Sequence, residues 1–209
     1  IDLSRGKNRM GASIAAQVFN GLGNQAPDVD SVKDLKSFFN CIQRLNKEDL
    51  ILAYHDKSDG GLYTTVLEMA FAGNTGLSLS LSELTGEKLE ILFNEELGAV
   101  IQVANQNIES LKAIVEEFGL LNALHRLGTL NDSHVFEIDD YKEDLSSLRA
   151  IWSDTSRQIE KLRDNPKTVE EEYQLKLDTK NPGIHADTHF KVELGLDYAS
   201  RPKIAIFRD

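Results

Sequence analysis

Apolar residues at Ile14, Ala15, Val18, Phe19 and Leu22 recur three and four positions apart, the spacing of one helix face, and Gly23-Asn24 closes the segment. The same period runs through Val32, Leu35, Phe38, Phe39, Ile42 and Leu45, with Asp30 or Ser31 placed to cap a helix over residues 31–45. Residues 50–54 form a short apolar run of strand length. A polar, glycine-rich turn over residues 55–61 then leads into a helix that ends at Gly73-Asn74. Leu77, Leu79 and Leu81 alternate with Ser78, Ser80 and Ser82, the period-2 pattern of a half-exposed strand. Residues 99–103 read as a buried strand, and Ile108, Leu111, Ile114, Val115 and Phe118 as another helix face. Residues 125–130 and 134–138 read as a hairpin joined through Asn131-Asp132. This order of elements predicts an α/β sandwich with a mixed sheet covered by helices.

The pattern changes after Asp139. Leu145, Leu148, Ile151, Trp152, Thr155, Ile159 and Leu162 make a long amphipathic helix stopped by Asp164-Asn165-Pro166. A stripe that carries a tryptophan, in a segment poor in Gly and Ser, predicts a docked helix with the indole buried, not a loose tether. A charged helical piece over residues 169–177 follows, its Glu170-Glu171-Glu172 reading as a solvated face, and Asn181-Pro182-Gly183 opens an irregular stretch. Residues 145–200 together read as a connector. The chain opens inside an apolar stretch, Ile1-Asp2-Leu3, that resembles the end of a strand, and closes on the strand-like Ile204-Ala205-Ile206-Phe207. Both ends suggest a piece of a longer polypeptide, carrying a share of a larger function.

Composition narrows the classes. With 209 residues and 41% hydrophobic content the chain can bury a core without disulfide or metal staples. Lys and Arg number 23 against 34 Asp and Glu, a net charge of −11. Phosphate backbones repel such a chain, so nucleic acid is not an expected partner, whereas a local site for a small phosphate ligand remains open. The single cysteine, Cys41, excludes an internal disulfide, and its place on a helical stripe marks a core thiol. No apolar run approaches the ~20 residues that cross a bilayer, so no membrane role is expected and a cytoplasmic location is the default.

Candidate chemistry concentrates in residues 50–62, LILAYHDKSDGGL. Asp56, Ser58 and Asp59 fall between the carboxyl end of a strand and the start of a helix, the edge at which α/β sheets bind ligands. Helix N-terminal amides attract phosphate, and Gly60-Gly61 lets backbone approach a ligand closely. A carboxylate such as Asp56 suits Mg²⁺, which takes one or two carboxylates and fills its shell with water and phosphate oxygens. An equally good structural reading makes Ser58 or Asp59 an N-cap and the glycines a tight turn. His55 reads as a hydrogen-bonded structural residue and Lys57 as a solvated lysine. Asn94-Glu95-Glu96-Leu97-Gly98 is a second acidic candidate, for metal or base; its bland reading is a solvated helix end. The other histidines, His125, His134, His185 and His189, show no zinc spacing.

Five segments in order, LAYHDKSDGGL (52–62), EMAFAGNTG (68–76), LFNEELGAVIQV (92–103), KLRDNP (161–166) and RPKIAIFRD (201–209), resemble the phosphoribosylformylglycinamidine synthase family, and the opening IDLSRGKNRMGAS resembles the start of that family's last synthetase domain. Ser4 and Ala12 stand where glycines are common in such proteins. The resemblance implies a portion of a purine-pathway, ATP-dependent glutamine amidotransferase ligase that makes formylglycinamidine ribonucleotide from formylglycinamide ribonucleotide. It implies a three-layer α/β/α sandwich with a mixed sheet, like the C-terminal domain of aminoimidazole-ribonucleotide synthetase, over residues 1–144. A linker over 145–200 and the first strand of a glutaminase domain over 201–209 would follow. Partners would be the preceding synthetase subdomains and that glutaminase domain in the same chain. The family's DxS motif falls on Asp56 and Ser58, which implies a metal ligand and a nucleotide contact for an auxiliary Mg²⁺-bound ATP or ADP. It implies no catalytic residue here, and an inactive isolated chain.

Two other readings stand beside this one. A kinase-like relative on the same fold, such as selenophosphate synthetase or thiamine-monophosphate kinase, would also bind ATP, but it has no glutaminase for KLRDNP and RPKIAIF to connect to. A ligand-free interaction module is the third.

Overall fold

A computed structural model describes residues 1–190 of the chain. It divides into two units, residues 1–179 and residues 180–209. In the first unit the elements are α1 (Ile14–Val18), α2 (Val32–Lys47), β1 (Ala53–Asp56), α3 (Gly61–Gly73), β2 (Gly76–Leu79), α4 (Lys88–Phe93), β3 (Ala99–Gln102), α5 (Ile108–Glu117), β4 (Gly128–Asn131), β5 (Val135–Ile138), β6 (Tyr141–Asp144), α6 (Leu145–Arg163) and α7 (Pro166–Leu177). In the second, Asn181 Oδ1 accepts the Gly183 amide at 2.9 Å, the turn expected at Asn181-Pro182-Gly183. The expected strand over 201–209 lies outside the described residues.

Two antiparallel strands, β1 and β3, form one ribbon, and the opening residues extend it: Leu3 N–H donates to Leu97 O and Ala99 N–H to Ile1 O. Alternation along β3 divides two cores. Ile101 and Val103 join Cys41 and Leu45 of α2 and Leu111, Ile114 and Val115 of α5. Val100 faces the other way, toward Leu62, Val66 and Phe71 of α3 and Ile91 and Leu92 of α4. Helices therefore cover both faces of the ribbon, the α/β/α arrangement expected. Beyond α3 and α4 lies a four-stranded mixed sheet, order β4-β2-β5-β6, whose Leu77, Phe136 and Ile138 complete the second core.

That sheet corrects the expected hairpin. β4 and β5 do not pair with each other; β2 lies between them, antiparallel to β4 and parallel to β5. Asn131 bridges the gap where a hairpin turn was expected, donating to Val135 O and Ser78 Oγ. Gly76 makes this possible, because a Cβ there would stand 2.0 Å from Asn131 Oδ1 and 2.6 Å from Val135 O.

The helix expected over residues 11–22 shrinks to the five residues of α1. Asn20 adopts a left-handed conformation, and the amides of Gly11 and Ala12 bond back to Gln25 O and Leu22 O, folding the segment into a loop. Its apolar Val18, Phe19 and Leu22 are exposed. Among the described residues, no helix is long and apolar enough to cross a membrane.

α6 starts on the Asp144 cap, which accepts Ser147 N–H at 2.8 Å. Leu145 is buried in the second core and Leu148 packs against it. Farther along, the expected stripe separates from the core: Ile151, Ile159 and Leu162 are exposed and Trp152 is 53% exposed. The indole leans on Phe71, ring centroids 5.6 Å apart. The expectation of a docked helix thus holds at its first turns, while that of a buried indole does not. Asn165 caps α7 with Pro166 in its first turn, and α7 folds back on α6. Glu170, expected on a solvated face, instead receives Arg157 at 2.8 Å and Lys161 at 2.7 Å from α6.

Phe136 is fully buried, so Phe136→Ala should cost about 3–5 kcal/mol. Trp152→Ala should cost only about 1–2 kcal/mol, the scale of one ring contact and one hydrogen bond. Urea unfolding of the two variants measures the difference, and equal losses would contradict the half-exposed placement.

Lys161, Gln174 and Arg157 hold the Glu170 carboxyl down to about 2 from its ordinary 4.5. A depressed carboxyl stabilises the fold above its unfolded pKa and ceases to do so as pH falls toward the folded one. The α6–α7 pair should therefore weaken between about pH 4.5 and 2, and Glu170→Gln should flatten that part of the profile in acid titrations followed by circular dichroism.

Candidate functional site

The candidate loop joins β1 to α3. Asp56 is the last residue of β1, and its side chain is 71% exposed. Ser58 and Asp59 are exposed as well. The cap of α3 is Gly60, at φ +81, with no side-chain capping bond. Neither the Ser58 hydroxyl nor the Asp59 carboxylate serves the helix, so the N-cap reading of those two residues does not hold. The glycines are demanded by close approach: a Cβ on Gly61, itself at φ +66, would stand 2.6 Å from Asn94 O and 2.7 Å from Leu92 O.

The loop is held from beneath by residues 94–96. Lys57 turns inward, donating to Asn94 Oδ1 at 2.7 Å and lying 3.6 Å from Asp2 Oδ1, with its side chain 9% exposed. This corrects the expectation of a solvated lysine, and burial pushes its ammonium below the ordinary value. One oxygen of Glu95 accepts two amides at 2.9 Å, Gly60 N–H at the start of α3 and Ile14 N–H at the start of α1. Glu96 is buried and takes Arg9 from two sides, Nε at 2.6 Å and Nη2 at 2.8 Å, plus the Arg9 amide at 3.1 Å. Asn94, also buried, donates to Glu90 O, Ile91 O and Asn8 Oδ1. The solvated helix end expected here is instead a polar junction that pins the opening segment and the Asp56 loop to one place. Arg9 carried no signal in one sequence, since a lone arginine suits any surface, and Asn94 stood only at the head of the acidic candidate segment, with nothing to mark it as a buried bridge.

His55 is hydrogen-bonded, as expected: Nδ1 to Asp56 O at 2.7 Å and Nε2 to Glu68 Oε2 at 2.9 Å. Cys41 is fully buried and its thiol pushed up to about 11 by that burial, in keeping with a core role.

The donor set can be tested against Mg²⁺. Among the described residues, no group of three or more His, Cys, Asp or Glu is placed to hold a metal ion. Mg²⁺ needs only one or two carboxylates when phosphate and water complete its octahedron. An exposed Asp56 carboxylate suits one position of such a shell and does not close it.

Residues 4–140 match the family described as AIR synthase related protein, C-terminal domain. The chain belongs to that family. In this AIR-synthase-related domain the match ends at residue 140, before α6 and α7. The chain shows similarity to solved Thermotoga maritima proteins. Phosphoribosylformylglycinamidine synthase II is 18% identical, with 59% of this chain and 24% of that one covered, at a TM-score of 0.48. PurL complexed with ATP is 17% identical, with 58% and 23% covered, at 0.49. PurLQS is 18% identical, with 53% and 20% covered, at 0.46. The AIR-synthase-related domain thus corresponds to less than a quarter of the length of each of these chains.

Glu96→Ala removes the buried acceptor of the Arg9 Nε and leaves the guanidinium only Asp30 and the Asp28 carbonyl at the rim of the junction, and it should lower Tm by about 5–10 °C. Glu96→Gln, which still accepts a hydrogen bond, should lose less. Thermal melts of the two variants provide the comparison; an unchanged Tm for Glu96→Ala would show that the junction does not hold the fold.

Proposed function

We propose that this domain is the C-terminal subdomain of the second synthetase unit of a large phosphoribosylformylglycinamidine synthase, a purine-pathway, glutamine-hydrolysing ligase. Residues 1–144 form the subdomain, 145–200 the linker, and 201–209 the first strand of the glutaminase domain. In this reading Asp56 and Ser58 hold an auxiliary Mg²⁺-bound ATP or ADP, and the neighbouring domains of the same chain complete the site.

The observation that carries the reading is at the head of α3. Gly60 takes the cap position, so capping of α3 uses neither the Asp56 carboxylate nor the Ser58 hydroxyl, yet both stand exposed at the carboxyl end of β1. Family membership and the ordered DxS, NEE and RDNP segments support the rest. Bound there, Mg²⁺ neutralises phosphate charge that a domain of net charge −11 would otherwise repel. Asp56 supplies a carboxylate ligand, Ser58 a hydrogen bond to phosphate, and Lys57, committed inward to Asn94, stiffens the backbone between them. No residue here is assigned a catalytic role. Glutamine hydrolysis needs an activated cysteine near a base, and a fully buried Cys41 with a raised thiol pKa is the opposite of one. The isolated chain is therefore inactive in this reading, and cytoplasmic like a soluble ligase.

In the intact enzyme, Asp56→Asn should cut the nucleotide released on denaturation at least ~10-fold and lower Tm, because a ligand bound only by the folded state stabilises it by mass action. Ser58→Ala should lose less. Chromatography of the denatured supernatant counts the nucleotide. A full complement of ADP in Asp56→Asn overturns the assignment. Retained ADP with abolished turnover would move the loop to the catalytic site, and absence of nucleotide from the wild type would favour an interaction module.

A further inference from the structure

Away from the loop itself, one carboxylate joins three elements. Glu68 lies midway along α3, 31% exposed. Its Oε2 stands 2.9 Å from His55 Nε2 on β1, and its Oε1 accepts the Trp152 indole N–H from α6 at 3.2 Å. The other nitrogen of His55, Nδ1, is 2.7 Å from the carbonyl oxygen of Asp56. A carbonyl and an ionised carboxylate both only accept, so each of the two ring nitrogens must carry the proton of its own bond, Nδ1 to the Asp56 carbonyl and Nε2 to Glu68. Three hydrogen bonds thus run in series from an indole on α6 to the backbone of the residue assigned to the metal.

Packing by itself would not orient these groups. Trp152 is half-exposed, and what fixes its plane is the bond to Glu68 together with the ring of Phe71, one turn farther along α3. His55 is partly exposed too and is held at both ring nitrogens. Apolar contact between α3, β1 and α6 carries no direction, whereas a hydrogen bond weakens steeply as its angle opens. With Glu68 removed, the imidazole keeps only its bond to the Asp56 carbonyl and can turn about χ2, and the indole N–H loses its acceptor.

We infer that Glu68 is a positioning residue for the Asp56 loop: through His55 it sets the Asp56 carbonyl, and through Trp152 it ties that setting to the seating of α6. A shift of α6 is then felt at Asp56, and a ligand that moves the Asp56 backbone is felt at Trp152, the only tryptophan in the sequence. What the loop binds rests on the proposed function; the coupling rests on the contacts alone.

The coupling is testable without a ligand. In the 209-residue chain, Trp152→Phe removes the N–H donor and keeps an aromatic ring against Phe71. Its effect on the backbone amide resonances of Asp56, Lys57 and Ser58 is measured by NMR in the wild-type and Glu68→Ala backgrounds, a double-mutant comparison. The expected result is a resolved shift of the loop amides in the wild-type background and none in Glu68→Ala, with part of the shift restored by Glu68→Gln. Loop amides that stay still in the wild-type background, or move equally in both, overturn the inference. If Glu68→Ala does not fold, His55→Gln breaks the same chain one link later and must also abolish the response. Asp56→Asn, which tests nucleotide binding, keeps the carbonyl and should keep the shift. Loss of the nucleotide reading and loss of the coupling are therefore separate outcomes.

Discussion

A carboxylate or amide removed from water must find partners, and at residues 94–96 that requirement organises the fold. Glu96 is buried and draws in Arg9; Asn94 is buried and takes Lys57, Asn8 and the end of α4; Glu95 collects the first amides of two helices. Leaving any of these groups unpaired would cost free energy comparable to a large part of the stability of a whole domain. The opening loop, the β1–α3 turn and the end of α4 consequently meet at one point, although they are far apart in sequence.

From that junction the two cores extend in opposite directions across the β1–β3 ribbon. α3 does most of the joining. Its apolar residues fill the space between the ribbon and the four-stranded sheet, and its glycine start lets the chain pass within van der Waals reach of residues 92–94. Such close passage excludes a side chain at Gly61, and with Gly60 as the cap residue the side chain that serves the start of α3 is that of Glu95. Asp56 and Ser58 therefore take no part in capping α3.

The polar groups around the loop therefore fall into two sets with different tasks. Lys57, Glu95, Glu68 and His55 are occupied by protein partners and give the loop its shape. Asp56 and Ser58 face outward. In a domain with a net charge of −11, a site for phosphate has to bring its own positive charge, and an exposed carboxylate suited to a hard divalent cation is a physical way to do so. The same division explains why the acidic residues at 95 and 96, attractive as metal ligands on paper, are not available: each is already committed to N–H donors.

Element type and order were legible in the sequence wherever periodicity was long and one-sided. The spacing in α2, α5 and α6, the strand–turn–helix around Asp56, Ser31 as one of the two cap candidates for α2 and the stop of α6 at Asp164-Asn165-Pro166 are local properties, set by backbone geometry and the burial of a single face. The place of Asp56 and Ser58 at a strand end was legible for the same reason. Strand partners were not: β4 and β5 are close in sequence, yet β2 lies between them, because a parallel pairing and the glycine at 76 are satisfied only in three dimensions. Nor was the fate of Trp152, since an apolar stripe says that a face can be buried, not how much neighbouring surface reaches it. The roles of Lys57, Glu68, Asn94 and Glu96 belong wholly to the tertiary structure. A polar side chain in a sequence can always be solvated, and only the packed chain decides which ones lose water and must take each other instead.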